Sequence, residues 1–241
     1  MSRQMILAVD VGNTNIVVGV MEGDQLIGGW RMTSQMPKTS DEYGVLMLDF
    51  LRQKDIKASD IENVIMSSVV PDIMYSLINS FKKYFDQIPI IIGPGLKTGI
   101  DIRTDNPKEV GADRIVNVVA GYELHGGPLM VIDFGTATTY DVVTEKGEFI
   151  AGITSPGIRV SADALWQRAA QLPKFEIKRP KGVLDAKNTI TSLQSGLVYG
   201  YIGQVEYIVK KAREELGVEK LTIVATGGLG KIIREGTDVI D

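Results

Sequence analysis

The chain has no cysteine and a single histidine in 241 residues. The first absence excludes disulfides, thiolate metal sites and a cysteine nucleophile, and it fits a reducing cytoplasm. With one histidine and no cysteine, a structural zinc site lacks its usual ligands. The histidine, His125, stands before Gly126-Gly127 and reads as a loop histidine at a helix end rather than a catalytic one. No apolar run approaches the ~18 residues of a membrane span. Ser2-Arg3-Gln4 leads straight into the first apolar run, which leaves no signal peptide. There is no excess of positive charge: 26 Lys and Arg face 30 Asp and Glu, for a net charge of −4. Basic residues cluster only in pairs such as Lys82-Lys83 and Lys210-Lys211, so nothing draws the chain to nucleic acid or to a membrane surface. Several motifs are missing too. No Gly-x-Gly-x-x-Gly follows a strand, and no Gly-x-Ser-x-Gly is present, which disfavours a Rossmann dinucleotide site and an α/β-hydrolase. Gly93-Pro94-Gly95-Leu96-Lys97-Thr98-Gly99 has the residues of a Walker loop in the wrong order.

What is present is a short motif that occurs twice. Asp10-Val11-Gly12-Asn13-Thr14-Asn15 closes the apolar run Met5-Ile6-Leu7-Ala8-Val9, and Asp133-Phe134-Gly135-Thr136-Ala137-Thr138 closes Pro128-Leu129-Met130-Val131-Ile132. Each copy precedes two more strand-like segments joined by a charged glycine turn, Glu22-Gly23-Asp24 in one and Glu145-Lys146-Gly147-Glu148 in the other. A strand ending in Asp puts a carboxylate at the strand's mouth, where it can hold a cation or its water. Glycine lets the backbone approach a phosphate closely. Thr and Asn add hydroxyl, amide and backbone N–H donors for anionic oxygens. One such turn alone would be an ordinary strand end. Two in matching contexts point to two similar halves that hold a nucleotide between phosphate-binding hairpins.

The pass along the chain is consistent with an α/β protein. Strands are expected over 5–10, 15–21 and 25–33, a helix over 41–53 with Ser40 as N-cap, a strand over 62–70 and a helix from Pro71 to about Phe85. Ile88–Ile92 reads as a buried strand, and Pro107 as the start of a helix that includes Gly111 to Arg114 and runs to about Glu123. Three strands follow Pro128, ending near Gly152, then a turn at Ser155-Pro156-Gly157 and a helix to about Ala170. Residues 172–187 look irregular, 189–216 form a long helix, and 221–225 a strand that ends in Thr226-Gly227-Gly228. The halves are expected at 1–126 and 127–241, each a mixed sheet with flanking helices. Glycines 227 and 228 would let a flat adenine ring lie against the backbone. Asp113 falls among Ile115, Val116, Val118 and Val119, and a buried carboxylate needs a purpose or a partner.

In order along nearly the whole chain, these segments resemble type III pantothenate kinase. The resemblance rests on the Asp10 and Asp133 motifs, Gly93-Pro94-Gly95, Asn106-Pro107 through Arg114, Ser155-Pro156-Gly157, Asn188-Thr189 with Ser195-Gly196, and Thr226-Gly227-Gly228. It implies the actin-like (ribonuclease H-like) fold shared with acetate kinase, sugar kinases, heat-shock chaperones and actin. It implies transfer of the ATP γ-phosphoryl group to the primary hydroxyl of pantothenate, the first step of coenzyme A synthesis. Asp10, Val11, Gly12, Asn13, Thr14, Asn15, Ile16 and Val17 would form the first phosphate loop, with Asp10 placing Mg2+ or its waters. Thr136 would contact the ATP phosphates, and Gly227 and Gly228 the adenosine. Asp113 would be the general base. Gly111, Ala112 and Arg114 would line the pantothenate site, and Thr189 would close it from the neighbouring subunit of a homodimer. Asp133 would hold a monovalent cation, K+ or NH4+.

Two departures stand out. Thr104 occupies a position nine before Asp113 that is aromatic in many family members, and the sequence stops at Asp241 where family members usually continue with another helix. The resemblance also reaches proteins first described as transcriptional accessory factors, and kinases of this fold that act on a sugar or a short acid. The acidic balance argues against direct DNA contact.

Overall fold

In the computed structural model, residues 5–93 and 95–241 are described. The expectations placed on Ser2-Arg3-Gln4, and on Pro94 within the Gly93–Gly95 loop, lie outside them. The chain divides into two compact units. One holds the residues up to Lys97 with Asn106–Val116, the other Thr98–Asp105 with Asn117–Asp241.

The first unit is built on β1 (Met5–Val11), β2 (Asn15–Glu22), β3 (Gln25–Thr33), β4 (Ile61–Ser68) and the two-residue β5 (Ile90–Ile91), in the sheet order β3-β2-β1-β4-β5. β1 is antiparallel to β2 and parallel to β4. Met5, Leu7, Val9 and Val11 alternate onto one face of β1. There they join a core with Tyr43, Met47 and Leu51 of α1 (Ser40–Arg52) and Ile73, Leu77 and Phe81 of α2 (Pro71–Phe85). Period two on the strand and a 3.6-residue stripe on each helix make this a two-layer unit.

The second unit repeats the plan. β7 (Leu129–Phe134), β8 (Ala137–Val143), β9 (Glu148–Pro156) and β10 (Thr222–Thr226), with the short β6 (Asp101–Ile102), form a sheet in the order β10-β7-β8-β9-β6. The motif-bearing strand is interior in both sheets, β1 between β2 and β4 and β7 between β8 and β10. In each, an antiparallel meander lies on one side and a parallel strand on the other: β3-β2-β1-β4 matches β9-β8-β7-β10. β7 is buried at nearly every position, as a continuous apolar run demands. One face of its sheet packs on Val198, Ile202, Val205 and Val209 of α5 (Thr189–Leu216) and on Ile158 of α4 (Ile158–Arg168). On the other, α3 (Ala112–His125) approaches so closely at Gly121 that a Cβ there would stand 2.9 Å from Leu129. α6 (Gly230–Arg234) follows β10. Among the described residues no helix is long and apolar enough to cross a membrane.

Several local expectations need correction. Thr39, not Ser40, caps α1: its hydroxyl accepts from Glu42 N, and the Glu42 carboxylate accepts from Thr39 N at 2.8 Å. Ile88–Ile92 is not a buried strand. Only Ile90–Ile91 pair, at the sheet edge, and Ile88 is 76% exposed. Pro107 opens a single 3-10 turn ending at Glu109, and α3 begins anew at Ala112. Asp113 is half-buried rather than buried. β9 runs on through Ser155-Pro156, so only Gly157 of that motif turns the chain.

Candidate active site

In the first unit, β1 ends at Val11 and a tight turn delivers the chain to β2. Gly12 N donates to Asn15 O at 3.0 Å, and Asn13 and Thr14 form an exposed two-residue tip. Ser34 N ties the tip down by donating to Thr14 O. Val11 and Ile16 are fully buried in the core, so they offer only backbone to the loop. Asp10 stands opposite Val17 on one side and Ser67 on the other. Ser67 Oγ donates to Asp10 Oδ1 at 2.6 Å. The end of β4 continues the pairing, with Val69 N donating to Val11 O.

The same β4 end reaches the start of α3. A Cβ on Gly111 would touch Val69 Cγ1 at 3.8 Å, and it would collide with the Asp113 carboxylate. Gly111 is therefore glycine for a steric reason: the Asp113 side chain folds into that space. Asp113 Oδ1 accepts from Arg114 N at 2.8 Å, within the first turn of α3, where free N–H groups favour an acidic side chain. Asp10, Asp113, Gly111, Ala112 and Arg114 thus all belong to one unit, linked through Ser67 and Val69.

In the second unit the loop is shorter by one residue. Gly135 N donates to Ala137 O, leaving Thr136 alone at the tip. Gly157 N donates to Thr136 O at 3.0 Å, and a Cβ on Gly157 would overlap the Gly135 and Thr136 carbonyls. Tyr201 of α5 secures this junction by donating to Pro156 O at 2.7 Å, with Ser161 Oγ also at 2.7 Å from its hydroxyl. Asp133 pairs with Thr226 across β7 and β10 and accepts from Asn117 Nδ2 at 3.2 Å. Gly227 has φ +91°, and a Cβ there would lie 2.7 Å from Asp133 Oδ1 and from Phe134 backbone atoms. Gly228 faces open space. Asp133, Thr136, Gly157 and Gly227 therefore converge on one cradle. Thr189 is the exposed first residue of α5, behind the Asn188–Thr191 capping box.

The shifts at Tyr140 and Asp41 are structural. Burial pushes the Tyr140 phenol up to about 12, so it stays neutral at the core. Hydrogen bonds from Lys83 and Tyr84 hold Asp41 below the usual carboxylate range. Among the described residues, no group of three or more His, Cys, Asp or Glu could hold a metal. A divalent cation here would rest on one carboxylate and on substrate phosphates, the usual manner of Mg2+ in phosphoryl transfer. The exposed Asp10, with one oxygen fixed by Ser67, fits that role.

Ser67, Asn117 and Tyr201 were not legible as site residues in the sequence, and Gly157 stood in the Ser155-Pro156-Gly157 motif without an assigned role. Ser67 lies 57 residues from Asp10, Asn117 16 from Asp133 and Tyr201 45 from Pro156. Gly157 alone carried a signal, as a glycine between a strand and a helix.

Two sheets, each with a glycine hairpin and a carboxylate at the mouth of an interior strand, define a nucleotide-dependent kinase of the actin-like fold. The comparisons bear this out. The family model for type III pantothenate kinase matches residues 6–211. A type III pantothenate kinase from Agathobacter rectalis is 57% identical over 237 residues, covering 98% of this chain and 91% of that protein. The chain belongs to the type III pantothenate kinase family. Among solved structures, a Sinorhizobium meliloti protein named for 2-dehydro-3-deoxygalactonokinase superposes with a TM-score of 0.59 at 12% identity, covering 98% of this chain and 90% of that one. A Campylobacter jejuni protein named for the Baf family of transcriptional activators gives 0.56 at 18% identity, covering 97% and 89%. At those identities the two share the fold alone.

Proposed function

We infer that this chain transfers the γ-phosphoryl group of ATP to the primary hydroxyl of pantothenate, giving 4′-phosphopantothenate in the first step of coenzyme A synthesis. One observation carries the reading: the 57% identity to a type III pantothenate kinase over 98% of the chain. The hydroxyl oxygen bonds to the γ-phosphorus, the bond to the β–γ bridging oxygen breaks, and ADP departs with that oxygen. Asp113 orients the hydroxyl and takes its proton. Arg114 faces the pantothenate carboxylate or amide oxygens, and Gly111 and Ala112 let the acceptor come close. Backbone N–H groups and hydroxyls over Gly12–Asn15 and at Thr136 meet the phosphates, while Gly227 and Gly228 receive the adenosine. Asp10 would hold Mg2+, which would supply positive charge to offset that of the phosphates. Asp133 holds a K+ or NH4+ ion, with Asn117 keeping its carboxylate aimed. Such a parts list provides positioning and charge neutralisation, which phosphoryl transfer chiefly needs.

The enzyme works in the cytoplasm as a homodimer, with Thr189 of one subunit closing the pantothenate pocket of the other. Support for the dimer comes from α5. Its buried residues Ser195, Val198, Ile202, Val205 and Val209 face the unit's own core, whereas Gly196, Gly200 and Gly203 lie on the exposed side with nothing near them. The deciding experiment couples ADP release to NADH oxidation across a panel of acceptors, in sodium, potassium and ammonium salts. Pantothenate should turn over best, and faster in potassium or ammonium. Transfer to another acceptor alone would replace the substrate, no transfer at all would favour a regulatory protein, and equal rates in the three salts would remove the monovalent site.

A further inference from the structure

The two motif carboxylates accept from different donors, Ser67 on Asp10 and Asn117 on Asp133. Ser67 is only 5% exposed, faces Asp10 in the parallel β1–β4 register and donates to Oδ1 at 2.6 Å. That length is typical of a hydroxyl on a charged carboxylate. Asp10 itself is exposed, so the bond fixes one oxygen and leaves the other to a cation. The neighbouring segment reinforces Ser67. Val69 N bonds to Val11 O, and Ser68 Oγ accepts from Val70 N at 3.1 Å, closing a turn just beyond the strand. The duplicated fold supplies an internal comparison. In the second sheet, the residue in register with Asp133 on the parallel neighbour is Thr226. Both halves thus set a hydroxyl residue beside the motif carboxylate, at the same topological position.

We propose that Ser67 is a positioning residue that aims the Asp10 carboxylate at the divalent cation of the bound nucleotide. The inference rests on the reading that Asp10 serves that cation. Free of Ser67, the exposed Asp10 side chain would sample several rotamers, and each productive contact would first have to select one. Donors behind metal-ligating groups usually matter on the scale of about 10–100-fold in affinity. A serine that merely satisfied its own buried hydroxyl would affect stability but not metal affinity.

The test measures Mn2+ binding by electron paramagnetic resonance in the presence of a non-hydrolysable ATP analogue, alongside the Mg2+ concentration that half-saturates turnover. Ser67→Ala should weaken Mn2+ about tenfold or more and raise the Mg2+ requirement in step, leaving KM for the acceptor unchanged. Ser67→Thr and Ser67→Val have nearly the same shape and differ by the hydroxyl. Thr should keep the wild-type affinity and Val should behave as Ala, a comparison that stands even if Ser67→Ala folds poorly. Wild-type Mn2+ affinity in Ala and Val, or equal weakness in Thr and Val, would overturn the proposal. Asp10→Asn separates the two levels. If it leaves Mn2+ affinity intact, the metal role of Asp10 fails. If it weakens Mn2+ while Ser67→Ala does not, only the role of Ser67 fails.

Discussion

Asp113 is a carboxylate whose neighbours were chosen for it. Gly111 leaves the space that its Oδ1 fills, and Arg114 N steadies that oxygen. Asp113→Asn keeps the shape and removes the basic oxygen pair, so the protein should fold and bind ATP normally while kcat falls by about 10²–10⁴, the usual worth of a general base. Near-normal turnover by this folded variant would place the base elsewhere. Gly111→Ala offers a companion change that leaves the charge in place. Its methyl would displace the Asp113 side chain, so kcat should fall with ATP affinity preserved. An unchanged kcat would show that the present rotamer of Asp113 has no part in the reaction.

At the scale of elements, the junction of β10 and α6 gives two neighbouring glycines opposite fates. Gly227 combines φ +91° with backbone contacts that no Cβ could share, whereas Gly228 stands open. Gly227→Ala should cost about 1–3 kcal/mol from backbone strain alone, seen as a Tm lower by several degrees. Gly228→Ala should leave Tm within a degree or so of wild type and show its effect, if adenine lies there, as weaker ATP binding. Equal Tm losses in the two would contradict this account of the turn. The contrast also shows what a sequence conveys. The double Asp-x-Gly motif was legible because each copy is local to one hairpin. α5 was legible over its full length because its apolar stripe, buried from Val198 to Val209, lies between an Asn188–Thr191 capping box and Gly217 at φ +65°. Ile88–Ile92 misled because an apolar run does not reveal whether it lies inside a sheet or on its edge. Pro107 misled because proline suits the first turn of a 3-10 segment as well as that of a helix. The donors Ser67, Asn117 and Tyr201 come from strands and helices far along the chain, and only the tertiary pairing selects them.

For the whole molecule, the question is whether one chain makes a complete pantothenate pocket. Asp113 and Thr189 sit in different units of the chain, and Thr189 begins a helix whose glycine row faces outward. Small residues on an exposed helix face allow another backbone to approach closely, and a two-fold interface places the same patch on both partners. A single change therefore acts twice. Gly200→Glu should leave a folded monomer, because the position has free space around it and lies off the core, and that monomer should lose pantothenate turnover. Sedimentation checks the first half and the coupled assay the second. Subunit mixing is sharper still. Thr189→Arg and Asp113→Asn homodimers should each be nearly inactive. After exchange, a heterodimer has one pocket with both defects and one with neither, so activity should return, up to about a quarter of the wild-type level if subunits mix at random. A fully active Gly200→Glu monomer, or no recovery once exchange is confirmed, would show that each chain completes its own pocket.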